Sequence, residues 1–125
     1  MGYRSEVMAV FYTTSKEEFP LLKLFVEENW PKEGSLSSLE WLKAQDHFGY
    51  VFHEEDVKWY ESFPEVQAFY AFVRSFRVIA DSEEKKQSWF YEFARIGEDY
   101  NDIETEYSLY SDGVLSVSRA IRLDV

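Results

Sequence analysis

Ser5-Glu6-Val7-Met8-Ala9-Val10-Phe11-Tyr12-Thr13 is the stretch from which the fold is read. Val7, Ala9 and Phe11 alternate with Glu6, Met8, Val10 and Tyr12. Successive side chains of a strand point to opposite faces, so this pattern predicts a β-strand. Both of its faces are largely apolar. That predicts a strand covered on two sides, at the centre of a sheet.

Working outward, Ser15-Lys16-Glu17-Glu18 has the spacing of a capping box, in which the first hydroxyl and the fourth carboxylate satisfy each other's backbone N–H groups. Phe19, Leu22, Phe25, Val26 and Trp30 then form the buried stripe of a helix that Pro31 ends. Pro20 sits too deep for a helix capped at Ser15, so the helix starts later or its first turn is bent. A second, shorter helix is expected from Leu36 to about Gln45, with Ser37 and Glu40 as its capping box. Phe48 to His53 and Val57 to Glu61 read as paired strands around a Glu54-Glu55-Asp56 turn. Ser62-Phe63-Pro64-Glu65 opens a further helix, with Val66, Phe69, Val73, Phe76 and Ala80 at three- and four-residue spacing and Phe72 and Ile79 widening the stripe. Ser88 to Ile96 is a strand with Trp89, Tyr91 and Phe93 on one face and Phe90, Glu92 and Ala94 on the other. Ile103 to Tyr110 and Val114 to Leu123 flank Ser111-Asp112-Gly113, and the Asp-Gly pair predicts a type I′ hairpin. The expected order is β-α-α-β-β-α-β-β-β. It describes one α+β domain over residues 1–125, with a mainly antiparallel sheet and helices on one face. Its first part matches the split β-α-β pattern of ferredoxin-like folds, here with an added C-terminal hairpin.

The net charge is −11, from 24 acidic against 13 basic residues. A field of that sign repels nucleic acid and anionic membranes and attracts basic surfaces. The 11 Phe, 9 Tyr and 4 Trp exclude a disordered acidic tail and place the charge on a packed body. The absence of cysteine excludes disulfides, thiolate catalysis and cysteine-based zinc sites. No apolar run approaches the roughly 20 residues that span a bilayer, and the N-terminus lacks the apolar core of a signal peptide. A cytoplasmic protein is expected.

The usual catalytic patterns are missing. The five glycines are isolated, so there is no phosphate-cradling loop, and no Gly-x-Ser-x-Gly elbow occurs. His47 and His53 would stand about 20 Å apart on one strand face, too far to share a metal. His53-Glu54-Glu55-Asp56 matches no zinc spacing and reads as a solvated turn. Asp99 to Glu104 fails the EF-hand register, with Ile103 and Glu104 where a fifth ligand and a glycine belong. Phe48-Gly49-Tyr50-Val51 fits the middle of the RNA-recognition octapeptide, but Asp46, His47 and His53 break its flanks. No catalytic, cofactor-binding or metal-binding residue is assigned.

Gly2-Tyr3-Arg4-Ser5-Glu6-Val7, together with Arg95-Ile96-Gly97-Glu98-Asp99-Tyr100-Asn101-Asp102-Ile103-Glu104, resembles a family of small proteins of tailed bacteriophages and prophages. The resemblance implies no activity. It implies a context, the host cytoplasm, in which small acidic proteins bind host proteins, some as DNA mimics that act as inhibitors. The stretch from Gly97 to Asp112 holds six acids and no base. Glu98, Asp99, Asp102, Glu104 and Glu106 are the expected partner-binding residues, with Glu104 and Glu106 on one strand face. The expected partner is a basic protein surface, such as that of a nucleic-acid-binding host protein. Two alternatives belong to other classes: a small metal- or ligand-dependent enzyme with its site near His53 and Glu54, and a phage structural or assembly component.

Overall fold

The computed structural model describes residues 2–32, 36, 38–42, 45–117 and 121–123. The elements run β1 (Ser5–Thr13), α1 (Phe19–Asn29), β2 (Glu40–Trp41), β3 (Phe48–Val57), α2 (Pro64–Ala80), β4 (Trp89–Gly97), β5 (Ile103–Tyr107), β6 (Leu115–Val117) and β7 (Ile121–Leu123). Five strands form one sheet in the order β2-β3-β1-β4-β5. Every pairing is antiparallel, and β1 lies at the centre. The chain is therefore α+β, and its central strand is the one whose two apolar faces marked it.

The two faces of β1 feed two separate cores. Val7, Ala9 and Phe11 join Tyr50 and Phe52 of β3, Trp89, Tyr91 and Phe93 of β4, and the buried stripes of both helices. Phe11 is the hub: its ring lies 5.1 Å from Phe72, 5.2 Å from Phe76 and 5.3 Å from Tyr91. Edge-to-face and offset contacts of this kind add to the stabilisation from buried area. Met8, Val10 and Tyr12 point the other way, onto Val51, Phe90, Ala94, Ile96 and Leu42. There the cover comes from the C-terminal segment, through Val114, Leu115 and Ile121.

Glu92 lies inside this second core and is fully buried. A buried carboxylate must be hydrogen-bonded to be tolerated. Here it accepts from the Tyr12 hydroxyl at 2.6 Å and from the Val114 and Leu115 amides at 3.1 and 3.0 Å. The Tyr12 oxygen in turn accepts from the Asp112 amide at 2.8 Å. One carboxylate thus fastens the C-terminal segment to the sheet. Burial first, and then the bond to Glu92, push the Tyr12 phenol far above its ordinary range.

Several expectations are corrected. No turn forms at Glu54–Asp56: β3 runs through it from Phe48 to Val57, and the second strand expected over Val57–Glu61 does not form beyond Val57. The alternation of β3 runs straight through the acids because they lie at the rim, where charge stays solvated. Its register against β1 slips between Ser5 and Val7, and Asp56 there takes φ 53°. The helix expected over 36–45 is absent from its described residues: Glu40 and Trp41 pair with Val51 and Tyr50, while residues 37, 43 and 44 lie outside the described ones. The Asp112-Gly113 hairpin does not form. β5 pairs with β4 and stops at Tyr107, and the last two strands are β6 and β7, paired with each other. Gly113 has φ 68°, but the other positive φ in that loop is at Tyr110, not at Asp112. The buried amides of Val114 and Leu115 are claimed by Glu92 instead of by a strand partner. α1 starts at Phe19, which removes the conflict over Pro20. Ser15 accepts the Glu18 N–H at 3.3 Å, but the Glu18 carboxylate turns away to Lys85 and to the Trp89 indole. α2 starts behind Phe63 with no side-chain cap, so the Ser62 box is not made.

Gly49 is set by close approach. A Cβ there would run into the backbone of Phe11 and Tyr12 on β1. The Phe48–Val51 stretch is a core strand in tight contact with the central one, and its ring Tyr50 is buried against the helices.

Candidate functional site

The register of the sheet gathers acids at one end. β1 begins where β3 and β4 finish, with Ser5 opposite both Val57 and Gly97. β5 begins beside the same point, with Ile103 opposite Ile96. Four strand ends therefore bring together Glu6, the Glu54-Glu55-Asp56 corner, Glu98 and Asp99 of the following loop, and Asp102 and Glu104. The cations of the same segments are Arg4, Lys58 and Arg95.

A hydrogen-bonded network fixes this end. The Tyr3 amide donates to the Tyr60 hydroxyl at 2.6 Å, and the Tyr3 hydroxyl donates to Asp102 Oδ2 at 2.6 Å. The same hydroxyl oxygen accepts from the Asp99 amide at 2.9 Å. Arg4 donates its amide to Glu98 at 2.7 Å and its guanidinium to the Asp56 carbonyl at 3.0 Å. Arg95 reaches Ser5 Oγ at 3.1 Å and grips Asp102 through two nitrogens, at 3.1 and 2.6 Å. Gly97 belongs to the same packing, since a Cβ on it would strike the Asp102 carboxylate and the Tyr3 hydroxyl. The opening Gly2–Ser5 segment and the Arg95–Glu104 segment, far apart in sequence, are thus one unit in space.

Charge follows geometry here. The Arg95 bond first, and the Tyr3 bond second, hold the Asp102 carboxyl below its usual range. Desolvation and the Asp102 bond raise the Tyr3 phenol, so the proton stays on tyrosine and the charge on aspartate.

The five acids read from the sequence fare differently from one another. Glu98, Asp99, Asp102 and Glu104 lie at this end. Glu104 is opposite Arg95 and bonds it at 3.0 Å through Nε, so Arg95 serves two carboxylates at once. Glu106 lies further along β5, opposite Phe93, and meets Arg77 of α2 at 2.6 Å. Glu104 and Glu106 do share a strand face, as expected. It is the helix-bearing face, and both bridge to arginines there. Of the six acids in this stretch, Asp102 and Glu104 meet Arg95 of β4 and Glu106 meets Arg77 of α2, cations that no local reading of 97–112 includes.

A shallow groove of about 380 Å³ opens beside this network, lined by Trp59, Tyr60, Glu61, Tyr70, Asp102 and Glu104, with Tyr3 and Arg95 completing it. Sequence reasoning missed Tyr3, Tyr60 and Arg95. The signal available for Arg95 was its charge within an otherwise apolar strand. Around His53, the structure adds Glu6: its Oε2 stands 2.8 Å from His53 Nε2, with Glu55 Oε1 3.7 Å from the same nitrogen. Glu54, its neighbour in sequence, is not one of these three. His47 is separate, bonded to the Gln45 carbonyl at 2.8 Å and to Asp112 at 3.0 Å.

No family model, curated protein or solved structure matches this chain. No helix among the described residues is long and apolar enough to cross a membrane.

Proposed function

We propose that the chain is a non-enzymatic binding protein whose acidic sheet end, Glu98, Asp99, Asp102 and Glu104 with the Glu54–Asp56 corner, docks on a basic protein surface. Glu106 flanks the contact. The observation that carries this reading is the convergence of carboxylates from four strand ends on one hydrogen-bonded frame. A preorganised rim of this kind costs a partner little ordering and steers it by charge. The neighbouring groove suits a single Lys or Arg side chain. Trp59, Tyr60 and Tyr70 offer aromatic walls, and Glu61, Asp102 and Glu104 outnumber the one cation of the lining, Arg95, which leaves the groove net negative. In the same reading the fold is a ferredoxin-like variant, with β-α-β-β-α-β connectivity over β1–β4 and β5 added at the β4 edge. The protein is phage-encoded and acts in the host cytoplasm as an inhibitor of a basic, nucleic-acid-binding host protein.

The test compares two sets of four substitutions with equal net charge. One neutralises Glu54, Glu61, Glu98 and Asp99; the other neutralises Glu17, Glu28, Glu40 and Glu84. Affinity for an Arg- and Lys-rich peptide is measured across a salt series. The first set alone should lose affinity and flatten the salt dependence. Equal losses from both sets would show that net charge, and not this end, does the binding.

A further inference from the structure

The geometry points to a binding site for a single divalent transition-metal cation, of the zinc type, formed by Glu6, His53 and Glu55. It shares Glu55 with the proposed docking surface, but it rests on the donor geometry and not on what that surface docks on. One donor atom from each residue lies within 4.8 Å of the other two. His53 Nε2 is central, 2.8 Å from Glu6 Oε2 and 3.7 Å from Glu55 Oε1. Zinc takes imidazole nitrogen and carboxylate oxygen at roughly 2.0–2.2 Å, which puts neighbouring donors of a tetrahedral site about 3.3 Å apart. The observed separations straddle that value. Small rotations of exposed side chains would bring all three onto one ion.

The three donors are held by backbone and not by chance. Met8 pairs with His53 and Val7 with Glu54, so Glu6 is placed across from the slipped stretch that carries Glu55. The slip is absorbed at Asp56, whose φ is 53°. Glu6 is partly buried and His53 and Glu55 are exposed, with side chains 26%, 33% and 74% exposed. Two ligands are thus positioned by the sheet, and the third closes from solvent, leaving room for water to complete the shell. The donor set selects among cations. An imidazole disfavours Mg²⁺ and Ca²⁺, which take oxygen, and the lack of sulfur disfavours Cu⁺. The divalent ions that accept imidazole with carboxylate remain, Zn²⁺, Co²⁺, Ni²⁺, Cu²⁺ and Fe²⁺, of which Zn²⁺ serves as the probe. Two carboxylates facing one another across neighbouring strands repel, and a dication between them removes that repulsion.

The experiment is calorimetric titration of the whole folded chain with ZnCl₂, alongside the His53→Gln, Glu6→Gln and His47→Gln variants. The wild type and His47→Gln should bind one equivalent saturably. His53→Gln should lose about a hundredfold or more in affinity, and Glu6→Gln about tenfold or more, since a first ligand matters at least as much as the outer-shell partners whose loss costs 10–100-fold. His53 is exposed, Glu6 is partly covered and the His47 side chain is 16% exposed, and circular dichroism verifies that each variant is folded. Co²⁺ in place of Zn²⁺ should give a visible absorption that the His53 variant lacks. Absence of saturable binding by the folded wild type, or equal binding by wild type and His53→Gln, would overturn the site.

Discussion

Replacing Glu92 should release the C-terminal segment before it unfolds the sheet. The carboxylate is the acceptor for three buried donors: the Tyr12 hydroxyl and the Val114 and Leu115 amides. In Glu92→Leu all three lose their acceptor, and each buried orphan costs about 1–3 kcal/mol. The low end of that range applies, because leucine also removes the desolvation cost of the charge. A net destabilisation of about 3 kcal/mol follows, a large part of the ~5–15 kcal/mol typical of a domain. Glu92→Gln keeps one acceptor oxygen and should lose roughly half as much. The assay is urea unfolding, paired with amide hydrogen exchange. The midpoint should fall, and the amides of Val114 and Leu115 should lose protection while those of Val10 and Phe93 keep theirs. An unchanged midpoint in Glu92→Leu, or uniform loss of protection across the sheet, would refute the argument that this carboxylate holds the segment down.

Gly49→Ala should destabilise by about 1–3 kcal/mol or more, as measured by thermal unfolding, because the clash is with the backbone of the central strand. Arg95→Met should let the Asp102 carboxyl titrate closer to its ordinary value in a carbon-13 NMR titration, because Arg95 is the first cause of its depression. Since the folded value lies below the unfolded one, the stability that Asp102 contributes is present above about pH 4 and lost as pH falls through the folded value, and this acid limb should shrink in the variant. The Tyr12 phenol runs the opposite way. Its folded value is raised, so its contribution is complete below about pH 10 and declines as pH rises beyond that, and Tyr12→Phe should flatten this alkaline limb in urea melts.

The elements that were legible in the sequence are those whose periodicity has a single explanation. Ser5–Thr13 could only be a strand covered on both faces, and it lies at the centre. The stripes of α1 and α2 were legible to the residue, because Leu22, Val26, Val66, Phe69, Val73 and Phe76 all meet the same sheet face. What misled was local chemistry that tertiary partners override. Asp112-Gly113 has hairpin residues, yet Glu92, twenty residues earlier in the chain, captures the amides that follow. Glu54-Glu55-Asp56 looks like a turn because three acids are costly in a covered strand, but at the rim of a sheet they remain solvated. The candidate site was legible only in part. Four of its acids were found from charge density, whereas Arg95, Tyr3 and Glu6 reach it through strand register, which no window of sequence displays.

The central claim is that one end of the sheet, and not overall charge, recognises a basic partner. It is tested most directly by titrating nitrogen-15-labelled protein with an Arg- and Lys-rich peptide and following backbone amide shifts by NMR at low and high salt. The account predicts shifts concentrated at residues 3–6, 53–61 and 95–104, fading together as salt is added. Shifts scattered equally over α1, the 83–86 turn and this end would contradict it.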